Sequence, residues 1–85
     1  MTYPSVPSVG AELVRYLRKD GRSVAVLRTV DHGNSCVVEA EVFPQSGGLP
    51  ERPGPYTFAD TRQATAFMTD VVEALMYLGC DVAAE

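Results

Sequence analysis

The chain has 85 residues, enough for one domain with a single core and too few for a second. A hydrophobic fraction of 46%, with 21% charged residues, excludes wholesale disorder. The formal charge of −4 is unevenly placed: Arg15, Arg18, Lys19, Arg22 and Arg28 face only Glu12 and Asp20 in the first third, and everything after residue 28 is net acidic. Such asymmetry suits head-to-tail self-association as well as an anionic partner.

Residues 1–10, MTYPSVPSVG, are read as a flexible arm ahead of a domain spanning 11–85. They lack the basic start and apolar run of a secretory leader, and no window of 18 unbroken apolar residues follows. The expectation is a cytoplasmic protein with no membrane association.

Three strands are predicted between residues 13 and 43. LVRYLRK and SVAVLRTV are separated by Asp20-Gly21, and SVAVLRTV and CVVEAEVF by DHGN at 31–34. Both separators tolerate the positive φ of tight hairpin turns, so the segment reads as an antiparallel meander. The segment 11–19 also suits a helix, because Leu13, Val14 and Leu17 fit helical spacing and Gly21 would serve as its C-cap.

Pairing Lys19 with Arg22 and Asp31 with Asn34 places Val14, Tyr16, Ala25, Leu27, Cys36, Val38, Ala40 and Val42 on one apolar face. The opposite face then collects Leu13, Arg15, Leu17, Val24, Val26, Arg28, Val37, Glu39 and Glu41. These nine are the candidate interaction surface, with Val26 at its centre. Apolar side chains of this kind contribute about 1.5–3 kcal/mol each when fully buried, so a patch of them favours association.

PQSGGLPERPGP, residues 44–55, carries four prolines and three glycines and is a loop. It lacks the spacing of a phosphate-binding loop and no helix starts directly after it. YTFA at 56–59 reads as a short fourth strand.

The clearest element is a helix over about 61–78. Asp60 is its N-cap, Gln63 completes a capping-type box, and Ala64, Phe67, Met68, Val71, Val72, Leu75, Met76 and Leu78 recur at helical spacing. With Gly79 at C′, Cys80 falls at C″, where a Schellman arrangement brings it against Leu75. Cys80 is thus a small hydrophobe closing the helix end. A reactive thiol would want a cationic neighbour or a helix N-terminus instead.

No catalytic or metal site is expected. Cys36, Cys80 and the lone His32 do not make a four-ligand zinc set, and His32 reads as a turn residue. Glu39 and Glu41 read as cross-strand partners of the arginines on the adjoining strands. The fold class is α+β, a two-layer domain with a three- or four-stranded antiparallel meander packed on one C-terminal helix. The favoured function is a non-enzymatic interaction or structural protein without cofactor, pairing with itself as a homodimer through the second sheet face or with another protein. The alternative is single-stranded nucleic-acid or small-ligand binding on that face. The stretch RYLRKDGR is the one hint of nucleic acid, and the negative net charge and the absence of an aromatic on the predicted open face argue against it.

Overall fold

The computed structural model describes residues 13–84, and the 1–10 arm lies outside them. The chain forms β1 (Val14–Lys19), β2 (Arg22–Asp31), β3 (Cys36–Val42), β4 (Tyr56–Phe58), α1 (Thr61–Tyr77) and β5 (Asp81–Ala84). All strand pairs are antiparallel, in the order β4-β3-β2-β1-β5, and α1 packs against one face. This is the expected two-layer α+β architecture with a fifth strand added at the edge beside β1. Within the described part of 11–19 the strand alternative holds.

Local chemistry explains the hairpins. Asp20 and Gly21 both take positive φ, at 53° and 79°, which a two-residue turn joining right-twisted strands demands. At the second hairpin Asp31 pairs with Cys36, not with Asn34, and residues 32–35 form the turn. The Asp31 carboxylate accepts the Gly33 N–H at 2.8 Å, and the His32 N–H donates to the Ser35 carbonyl at 2.8 Å. This Asx-type turn lengthens the loop and moves the register by two residues, which leaves the faces unchanged.

A β-bulge does change them. Arg15, Tyr16 and Leu17 pair with Leu27, Val26 and Ala25, but Arg18 pairs with Ser23, so Val24 has no partner in β1. The extra residue turns the first four residues of β1 over relative to β2. Leu17 is therefore fully buried beneath α1, while Val14 and Tyr16, expected in the core, lie on the opposite face.

The core joins Leu17, Ala25, Leu27, Cys36, Val38, Ala64, Met68 and Cys80, with Leu13, Val24, Phe58, Phe67, Val71 and Leu75 packed around them. Buried Thr29 is satisfied through Leu13: its hydroxyl accepts the Leu13 N–H at 3.0 Å, and its own N–H donates to the Leu13 carbonyl. Phe67 lies between Phe58 and Tyr56, with ring centroids 5.2 and 5.1 Å away.

Both ends of α1 are closed as expected. The Asp60 carboxylate accepts the Gln63 N–H at 2.9 Å, and the Gln63 side chain accepts the Ala59 N–H. At the other end Cys80 N–H donates to the Leu75 carbonyl and Gly79 N–H to that of Met76, the two bonds of a Schellman motif. Lys19 Nζ donates to the Leu78 carbonyl at 3.1 Å and so ties the helix end to the first hairpin. Met76 and Leu78, which belong to the apolar repeat of the helix, are exposed.

Candidate functional site: the open sheet face

Among the described residues nothing covers the sheet face opposite α1. Its residues form three cross-strand rows. The first runs Ala83, Tyr16, Val26, Glu41 from β5 to β3; the second runs Val14, Arg28, Glu39; the third runs Val30, Val37, Thr57 from β2 to β4. Alternation along each strand puts these side chains on one side, and the core residues on the other.

Five of the nine residues expected here are on this face: Val26, Arg28, Val37, Glu39 and Glu41. Four are not. Leu13 and Val24 pack against the core, Leu17 is at its centre, and Arg15 shares the Leu17 side through its pairing with Leu27. The bulge at Val24 is the physical cause for β1. Val24 itself, as the extra residue, does not follow the alternation of β2. The same bulge brings Val14 and Tyr16 to the open face.

The charges on the face are balanced. Arg28 Nε lies 3.3 Å from Glu39 Oε1, and Arg52 Nη2 lies 3.2 Å from Glu41 Oε2. Both pairs reach solvent, so each contributes at most about 1 kcal/mol to folding. Arg52 is brought there by the 44–55 loop, which runs back along β3: Val42 and Glu51 exchange two backbone bonds, at 2.7 and 2.8 Å. Sequence reading gives this segment as a loop without further role. The prolines and glycines do prevent a regular strand, but the single Val42–Glu51 bridge extends the sheet edge and makes a rim.

Between that rim and β2 lies an open groove of about 270 Å³, lined by Val26, Arg28, Glu39, Ala40, Glu41, Arg52, Pro53 and Pro55. Its ionisable side chains are two arginines and two glutamates, each glutamate paired with an arginine. His32 is exposed at the tip of the β2–β3 hairpin, and Cys36 and Cys80 are buried on the helix side. Among the described residues no group of three or more His, Cys, Asp or Glu side chains is placed to hold a metal ion. No helix among them is long and apolar enough to cross a membrane.

A second exposed apolar cluster, not anticipated from sequence, is formed by Met76, Tyr77 and Leu78 at the end of α1, with Val82 on β5 also exposed. The signal for it is in the helix itself, whose last turn carries three consecutive apolar residues.

No protein-family model matches the chain, and neither a curated protein nor a solved structure matches it.

Proposed function

We propose that this domain is a non-enzymatic interaction module that pairs with a second copy of itself through the open sheet face. The observation that carries the reading is the balance of apolar and oppositely charged residues on the face. Apolar residues of β1, β2 and β3 are interleaved with two arginines and two glutamates, each arginine beside a glutamate on the neighbouring strand or rim. A two-fold rotation can set such a surface on its own image without leaving like charges opposed.

The face is small for an interface. Five strands at a spacing of about 4.8 Å and a length of about six residues give a footprint near 24 by 20 Å, to which the rim and side-chain relief add. That approaches the lower end of the roughly 600–1,000 Å² that each partner buries in a standard interface.

Nucleic-acid binding is the weaker reading. Tyr16 on the open face supplies one aromatic, but Glu39 and Glu41 offset Arg28 and Arg52, so a phosphate backbone meets no net positive surface.

Sedimentation of the wild type and of Val26→Glu tests the proposal, with circular dichroism to check folding. A dimer in the wild type and a folded monomer in the variant support it, because Val26 lies between Tyr16 and Glu41 in the first row. A wild type that stays monomeric at high micromolar concentration removes it, as does a variant that stays dimeric.

A further inference from the structure

One residue of β3 has an unpaired main chain on the side of the rim. Val42 exchanges both of its backbone bonds with Glu51, and the Phe43 N–H donates to the Val24 carbonyl of β2. Backbone groups alternate sides along a strand, so Val42, Ala40 and Val38 turn theirs to the rim, while Glu41 and Glu39 turn theirs to β2. Val38 meets Tyr56 of β4 there. Ala40 meets nothing: among the described residues neither its N–H nor its carbonyl has a hydrogen-bond partner on that side.

The rim explains the gap. Between the Val38–Tyr56 and Val42–Glu51 pairs β3 has three residues, whereas the rim has four, Arg52 to Pro55. Two of the four are prolines, which have no N–H to offer. The gap opens into the groove. Ala40 lines that groove although its side chain packs against the core on the helix side, so what it presents there is main chain.

We infer that the groove binds a short zwitterionic peptide, of tripeptide size, whose central residue exchanges two backbone hydrogen bonds with Ala40. An unpaired donor and acceptor on one edge residue are what an extended peptide recognises, since its own residue carries the matching acceptor and donor. The charges fit the two ends. Arg28 with Glu39 lies one residue to one side of Ala40 along β3, and Arg52 with Glu41 lies one residue to the other. A tripeptide centred on Ala40 sets its ammonium and its carboxylate about one strand step, ~3.3 Å, beyond the centre, each beside a pair that holds both signs. Val26, Pro53 and Pro55 supply apolar contact for a small side chain. The length is bounded as well, because Tyr56 and Glu51 already occupy the edge at Val38 and Val42. A longer strand has no room to pair.

Amide NMR on dilute protein, below the concentration at which it self-associates, tests the site in three steps. Without ligand, the Ala40 N–H should exchange with solvent about tenfold or more faster than those of Glu39 and Glu41, which are bonded to β2. Equal protection would mean a partner within the chain and would remove the premise. With trialanine as the probe, the Ala40 amide signal should shift and its exchange should slow; no shift at Ala40 up to the solubility limit of the peptide overturns the site. An analogue with an ester in place of the amide that carries the central N–H keeps both charges and loses one bond. It should bind about fivefold or more weaker, and binding equal to that of trialanine overturns the pairing with Ala40. The inference stands apart from self-association, since Ala40 is unpaired within one copy: a wild type that never dimerises removes the earlier reading and leaves these expected results unchanged.

Discussion

Leu17 and Ala25 face each other across β1 and β2, and the next pair toward the turn, Arg18 with Ser23, skips Val24. That single unpaired residue decides which side of β1 enters the core. Leu17 has no exposed surface, whereas Tyr16 beside it points to the open face.

Leu17→Ala should therefore cost about 2–5 kcal/mol, the range for truncating a large side chain in a close-packed core. Tyr16→Ala should cost about 1 kcal/mol when measured on dilute protein, where association does not contribute. Urea unfolding of the two variants decides it, and a larger loss for Tyr16 than for Leu17 would contradict the bulge.

Asp60→Ala removes the acceptor of the Gln63 N–H at the start of α1. Loss of about 1 kcal/mol is expected, against less than about 0.5 kcal/mol for His32→Ala at an exposed hairpin tip. Thermal melts of both variants should keep that order.

Cys80 is 7% exposed and sits within the core at the Schellman end of α1. A thiol reagent should label it in native protein far more slowly than in denatured protein, and equal rates would falsify the structural role. Cys80→Ala should cost about 1 kcal/mol in packing. Gly79→Ala should cost about 1–3 kcal/mol, since its φ of 99° lies in the region that favours glycine and the new methyl group would meet Lys19 Cε at 3.3 Å.

Gly54 lies directly against the Tyr56 ring. A Cβ there would stand 2.8 Å from Tyr56 Cε2, and the φ of 86° disfavours a side chain as well. Gly54→Ala should displace Tyr56 from Phe67 and disturb the rim, at a cost of about 1–3 kcal/mol. The near-ultraviolet dichroism of the tyrosines should change with it; an unchanged spectrum and stability would show that the ring has room to move.

The sequence by itself determined those features whose physics is local. The Asp60 cap, the Gly79–Cys80 helix end and the Asp20-Gly21 turn each involve groups within a few residues of one another, so residue type and spacing suffice to identify them. The alternation of β2 and β3 was legible too, because a shift of two residues at the His32–Ser35 turn preserves which side chains share a face. Only the tertiary structure decided the rest. The bulge at Val24 has no composition of its own: Val14 with Tyr16, and Leu13 with Leu17, are both apolar enough to face the core, and the choice depends on how each set fits beneath α1. DVAA at 81–84 is too short and plain to announce a strand, and it becomes β5 because the Schellman turn directs the chain back along β1 more than sixty residues away. Arg52 joins the open face for the same kind of reason: a two-bond bridge between Val42 and Glu51 holds the loop against the sheet, a long-range pairing that no local propensity encodes.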